Sequence, residues 1–329
     1  MPIRTSPQPI RPMDRDPMRS DGIQVVDSSE VHYSWNNDIT PRCEIASGTT
    51  MTFVIRGGGD NFYTPESTHA DVLDRPPFTG HPLSGPVSIR GARPGDALRV
   101  DVVAIDIWDW GYTFIGPGIG LLSGELDGPF LKIWDLSKPG WAPFAPGIEV
   151  PIDPFLGVLG NAPAESGDHS TMPPRRVGGN LDVKHLTEGS TVWLPIEVEG
   201  GLFSAGDAHA AQGDGEVCGT AIETGATATL HLTLVPDMHL SAPEYLTKAL
   251  TTSANTASWY GTTGIGPDLM TATKDAIRAM IRRLEQSKGL SAEEAYILCS
   301  VAVDLKINEV VDSPNWVVSA NLPMVIFGE

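Results

Sequence analysis

From residue 23 to about residue 240, apolar side chains recur at every second position. Met51, Phe53 and Ile55 alternate with Thr50, Thr52, Val54 and Arg56. Leu98, Val100 and Val102 alternate with Arg99 and Asp101, and Leu230, Leu232 and Leu234 with Thr229, His231 and Thr233. A period of two places one face of each segment in a core and the other in water, which predicts half-buried β-strands. Turn formers recur at Ser47-Gly48, Pro94-Gly95-Asp96, Glu188-Gly189-Ser190 and Ala205-Gly206-Asp207. Glycine supplies positive φ there, and Asp or Ser bonds the nearby backbone. Val87–Ala97 and Ile196–Ala208 share an outline of strand, glycine, short turn and Gly-Asp, which hints at a duplicated β unit.

Near residue 271 the period changes. Ala276, Ile277, Met280, Ile281 and Leu284 follow helical spacing, and Gly289 suits the position after a helix C-cap. Ser291 and Glu294 form a capping box for a second helix reaching about Asp304. Trp316–Val318 and Met324–Phe327 read as closing strands. The predicted fold class is mainly β, an antiparallel sandwich or barrel, with an α+β C-terminal portion. Residues 1–22 read as an extended arm, 23–270 as a β-rich catalytic domain, and 271–329 as the α+β portion packed on it.

Composition then narrows the partners. The chain has 329 residues, of which 22 are Lys or Arg and 41 Asp or Glu, for a net charge of −19. That excess of acid gives no electrostatic footprint for nucleic acid or an anionic membrane. No run approaches the ~20 apolar residues that span a bilayer, and the Pro- and Arg-rich N-terminus lacks the apolar core of a secretory signal. Cys43, Cys218 and Cys299 are odd in number and far apart, so they make no disulfide framework. The expectation is a cytoplasmic protein acting on a small molecule. Gly-x-Ser-x-Gly, Walker A and His-Glu-x-x-His motifs are missing from the sequence.

Chemistry concentrates in Gly206-Asp207-Ala208-His209-Ala210-Ala211-Gln212-Gly213-Asp214-Gly215-Glu216. Its polar groups are separated by Ala and Gly alone, so they can converge on a ligand without bulky neighbours. On an extended segment Asp207 and His209 share a face, roughly 6–7 Å apart at Cα. A carboxylate and an imidazole so placed can bind one divalent ion; the same pattern also suits an acidic loop in solvent. Asn180 and Asp182 repeat the spacing after Gly178-Gly179, where a plain hairpin turn is the competing reading. Trp108, Trp110, Tyr112 and Phe114 alternate strictly, as a packed core face or as the wall of an apolar pocket. Cys218 reads as inert packing rather than as a nucleophile.

Gly178–Asp182, Leu194-Pro195 and Gly206–Glu223 together resemble the signature of the acetamidase/formamidase family. His81–Pro86, Arg93–Asp96, Trp110-Gly111, Gly116–Gly118 and Trp35–Asn37 resemble its earlier half, and Glu294–Tyr296 and Val303-Asp304 its end. Leu181 stands where the family often has Met and Asn36 where it often has Asp, and the stretch around Glu165–Met172 does not align. The resemblance implies a metal-dependent hydrolase of small aliphatic amides, β-rich and homo-oligomeric. On chemical grounds the expected ligands of a divalent ion, zinc foremost, are Asp207 and His209 with Asp182 third. Glu216 is the expected general base and proton donor, its role interchangeable with that of Asp182. Asn180 and Asn37 are expected to hydrogen-bond the amide or the developing oxyanion. A lactam, carbamate or longer amide is the alternative substrate, and a non-catalytic, metal-stabilised β protein the alternative class.

Overall fold

The computed structural model describes residues 24–126, 128–247, 259–309, 314 and 316–328. The predicted arm, residues 1–22, lies outside the described residues. The alternating segments form two main sheets. One has six strands in the order Gln24–Val26, Thr49–Ile55, Ala226–Val235, Ala97–Ile107, Thr191–Pro195 and Glu244–Leu246. Its first pair is parallel and the others are antiparallel. The other has nine strands. Its main path runs Gly178–Asn180, Phe155–Gly160, Phe203–His209, Glu223–Thr224, Trp110–Ile115 and Phe130–Asp135. Leu83–Ile89 branches from Phe203–His209 and carries the short strands Val31–His32 and Cys43–Ile45.

The predicted apolar faces meet between these sheets. Met51, Phe53, Leu98, Val100 and Leu230 pack with Val87, Leu156, Phe203 and Ala205 in one buried cluster. Phe53 and Phe203 meet edge to face with ring centres 5.6 Å apart, the arrangement their quadrupoles favour. The chain is therefore mainly β, with an α+β portion at its C-terminus, as the period of two and its change near residue 271 predict. The two segments of similar outline both cross between sheets, but in opposite directions: Val87–Ala97 leaves the nine-stranded sheet, whereas Ile196–Ala208 enters it.

One turn signal is corrected. Ala205-Gly206-Asp207 lies inside the strand Phe203–His209. A Cβ on Gly206 would stand 2.7 Å from Leu83 Cδ2 and 3.0 Å from Pro82 O. The glycine is there for close approach of a neighbouring strand, not for a turn.

The C-terminal portion has three strands, Trp259–Gly266, Asp304–Glu309 and Trp316–Pro323, with helices α1 (Leu269–Lys288) and α2 (Ala292–Ala302). This layer takes in residues on both sides of position 270. Asp268 caps α1, Gly289 follows it at φ 67°, and the Ser291–Glu294 capping box opens α2. Met324–Phe327 is a 3₁₀ turn rather than a strand. Pro323 ends the preceding strand because it has no N–H to continue the ladder.

Helix α2 holds the loop between Phe203–His209 and Glu223–Thr224. Ser300 Oγ accepts from Cys218 N (3.1 Å) and donates to Thr220 O (2.7 Å), Ser300 O accepts from Gly213 N (2.7 Å), and the Tyr296 hydroxyl donates to Val217 O. Cys218 is fully buried here, its thiol pushed up to about 11 by burial, which makes it packing and not a nucleophile. Ser300→Ala leaves a buried N–H and a buried carbonyl without their partner. It is expected to destabilise the protein by about 1–3 kcal/mol, seen as a lowered thermal midpoint. An unchanged midpoint would mean that α2 does not hold this loop through Ser300.

Candidate active site

The nine-stranded sheet brings the scattered polar residues together through its register. His209 lies opposite Phe155 on one side and Glu223 on the other, and Glu223 in turn lies opposite Tyr112. Asp182 follows the short strand Gly178–Asn180, and its backbone N–H donates to Gly157 O at 3.2 Å. Asp207, Glu223, Asp182, Glu216, Asn180, His81, Tyr112 and Phe114 all line one cavity of about 240 Å³. The two glycine-rich stretches thus meet in space.

His209 is fully buried, and Asp207 and Glu223 are 4% and 5% exposed. The imidazole is oriented by a relay of hydrogen bonds. Gln212 Nε2 donates to Asp182 O at 3.0 Å, so Gln212 Oε1 is turned toward His209 Nδ1, also at 3.0 Å. Nδ1 must then carry the proton that Oε1 accepts. Nε2 faces Asp207 Oδ2 at 3.3 Å and Glu223 Oε2 at 3.4 Å, yet neither contact has hydrogen-bond alignment and Nε2 has no partner. Asp182 Oδ1, 3.9 Å from Nδ1, is likewise buried without a partner.

The local electrostatics ask for positive charge. Burial disfavours a charged His209, but Glu223 and Asp207 outweigh it and hold the imidazole well above its usual range. Burial also opposes ionisation of Asp207, but His81 and His209 together pull its carboxyl below the ordinary value. His81 Nε2 stands 3.7 Å from Asp207 Oδ2, with its ring fixed by Thr171 Oγ1 at 3.1 Å from Nδ1. Burial lifts Asp182 to about 7 and, with the Asp182 charge, pushes Glu216 well above the usual carboxylate range.

Two features show a backbone shaped around these groups. Asp182, Asp207 and Glu216 adopt φ of 49°, 56° and 43°. Such left-handed backbone at non-glycine residues costs energy and clusters at functional sites. A Cβ on Gly58 would stand 2.4 Å from Asp207 Oδ1 and 2.7 Å from Glu223 Oε2, and one on Gly157 would stand 2.6 Å from Asp182 Oδ1. Bare backbone is thus pressed against the carboxylates from two sides. Two sets of three side chains, Asp207–His209–Glu223 and Asp182–His209–Glu216, each have ligand atoms within 4.8 Å of one another and can hold a metal ion.

Asn180 lies in the cavity wall, but its Nδ2 is committed to Met172 O at 3.1 Å, which leaves Oδ1 buried and without a partner. It therefore offers an acceptor, which suits an amide N–H and not an oxyanion. Asn37 is not brought to the site. Its Nδ2 donates to Pro163 O and Ala164 O, both at 3.0 Å, and ties down the loop that leads into the stretch around Glu165–Met172. Asp214 also points elsewhere, 3.8 Å from Lys184 Nζ. The aromatic run divides: Tyr112 and Phe114 form cavity wall, whereas Trp108 and Trp110 stack with centres 6.0 Å apart.

Sequence reasoning missed Glu223, His81 and Arg75 as site residues. Glu223 lies seven residues beyond Glu216 in sequence, and only the strand register sets it opposite His209. His81 is a lone histidine in sequence, with no spacing to any partner.

Comparison with known proteins identifies the family. A model of the acetamidase/formamidase family matches residues 21–167 and 164–329. An acetamidase of Mycolicibacterium smegmatis is 28% identical over 62% of this chain and 66% of its own length. A formamidase of Methylophilus methylotrophus is 25% identical over 96% of this chain and 92% of its own. A gamma lactamase from Delftia acidovorans superposes with a TM-score of 0.84 at 26% identity, covering 91% of this chain and 90% of that one.

Proposed function

Since the chain belongs to the acetamidase/formamidase family and is an amidohydrolase of small linear amides, we propose that it cleaves them with a divalent ion held by Asp207, His209 and Glu223. The observation that carries this reading is the unpartnered Nε2 of His209 between two buried carboxylates. A position that attracts a proton against burial will also attract a cation, and one imidazole with two carboxylates fits a first-row divalent ion such as zinc. A bound ion of this kind lowers the pKa of water and polarises a carbonyl. Glu223 takes the third place in the ligand set, since it faces Nε2 while Asp182 lies nearer Nδ1.

The remaining groups carry the proton work. The carboxylate of Glu216 accepts a proton from the attacking water and passes it to the leaving nitrogen. Asp182 is the second acid in reach and keeps that proton inside the cavity. Asn180 Oδ1 accepts from the substrate amide N–H, which orients the carbonyl. Gln212 fixes the His209 tautomer and so keeps Nε2 free for the ion.

Metal analysis paired with an ammonia-release screen tests the proposal. One tightly bound ion per chain is expected, with turnover of formamide and acetamide lost on chelation and restored by zinc. Full activity in a metal-free preparation would remove the ion. The lactam reading keeps a specific support, the likeness to the Delftia lactamase, and the same screen with cyclic amides separates it. The net charge of −19 supports a small-molecule partner rather than nucleic acid or an anionic membrane. Tyr245 and Leu246, 49% and 64% exposed on an edge strand, offer apolar surface for a homo-oligomer.

A further inference from the structure

One cation in the cavity wall plays no part in the proposed chemistry. Arg75 lines the same cavity as Asp207 and Glu216. Its guanidinium lies 5.0 Å above the ring of Phe114 and 5.5 Å above that of Phe78. Among the described residues no carboxylate comes within ion-pairing distance of it. Arg56 pairs with Asp60, Arg90 with Glu44 and Arg278 with Glu125; among the described arginines that lack such a pair, Arg75 is the one that lines this cavity. In a chain with 41 acids and 22 bases, an arginine without an acid, facing a site rich in acids, calls for another anion.

We propose that Arg75 is a carboxylate-binding residue, and that the preferred substrates are short primary amides ending in a carboxylate, the monoamides of dicarboxylic acids. This inference rests on the amide-hydrolase reading and names the substrate class of that same site. Contact with two aromatic rings holds the guanidinium in the wall, and among the described residues it has no carboxylate partner on its N–H edge. That edge matches the two oxygens of a carboxylate. The path from Arg75 to the chemistry is continuous. Phe78 packs edge-on against His81 with centres 5.0 Å apart, and His81 faces Asp207. A substrate whose amide sits at Asp207 and His209 therefore reaches Arg75 along the Phe78 wall. The cavity, about 240 Å³, offers about eight times the roughly 30 Å³ that one water molecule takes in the liquid, more room than the four heavy atoms of acetamide need. The surplus suits a longer molecule. The acids of the centre repel a second carboxylate, so such a substrate needs a cation at its far end, and Arg75 stands there.

The test compares the holoenzyme with Arg75→Gln and Arg75→Lys on a matched pair, succinamate and butyramide. Wild type is expected to show the higher kcat/KM for succinamate. Arg75→Gln should lower the succinamate-to-butyramide ratio by roughly 10- to 100-fold, the weight of a charge-assisted hydrogen bond. Arg75→Lys should fall between, because it keeps the charge and loses the fork. Equal losses on both amides would make Arg75 a structural residue and overturn the proposal, as would a wild-type preference for butyramide. Calorimetric binding of succinate against butyrate separates this from a failure of the hydrolase reading. If no amide is turned over, that reading falls. A succinate preference that Arg75→Gln abolishes still upholds the anion site, and the lack of such a preference ends it.

Discussion

Glu216→Gln is expected to lower kcat for acetamide by at least 100-fold while the fold and the proposed ion remain. The argument starts from the loop. Glu216 sits at φ 43° between Gly213, whose O accepts its N–H at 3.1 Å, and Gly219, whose N–H donates to its O at 2.8 Å. The backbone is thereby fixed, and the half-buried side chain lines the cavity. Burial and the Asp182 charge push its pKa well above the ordinary value, and a carboxyl in the cavity wall can both take and give a proton. Glutamine keeps the shape and hydrogen-bonding capacity but cannot carry that proton. General acid–base groups contribute about 10²–10⁴-fold, and neither Asn180 nor the backbone can replace one. Steady-state kinetics with metal analysis of the same sample decides the matter. An unaltered kcat would pass the role to Asp182, which burial lifts to about 7.

His209→Ala is expected to remove the proposed ion and the activity together, and to lower stability. His209 supplies the single nitrogen among the buried ligand atoms and lies within 3.4 Å of both Asp207 and Glu223. Without it the two carboxylates, 4% and 5% exposed, face each other with nothing between them. Breaking a buried pairing of this kind costs about 3–5 kcal/mol. Metal content, ammonia release and the thermal midpoint should all fall. A folded variant that retains its metal would contradict the ligand assignment. Loss of activity with metal intact would instead make His209 a catalytic base.

Much of the local structure follows from the sequence by itself. The alternation of Met51, Phe53 and Ile55, and of Leu98, Val100 and Val102, determines which face of each strand is buried, because a strand has only two faces. Helical spacing and the Ser291–Glu294 box determine both helices to within a few residues. The clustering of Asp207, His209, Gln212 and Glu216 among Ala and Gly marks the site, since small residues leave room for polar groups to converge. Tertiary structure alone decided which of these groups meet. Register across three strands sets Glu223 opposite His209 and Tyr112 opposite Glu223, and strand pairing is a property of the folded sheet that no local pattern encodes. The same holds for Asn37, whose amide is drawn to the carbonyls of Pro163 and Ala164, and for Asp214, drawn to Lys184. An acid's chemistry depends on the charges within a few ångströms of it, and those neighbours are fixed only when the sheets close.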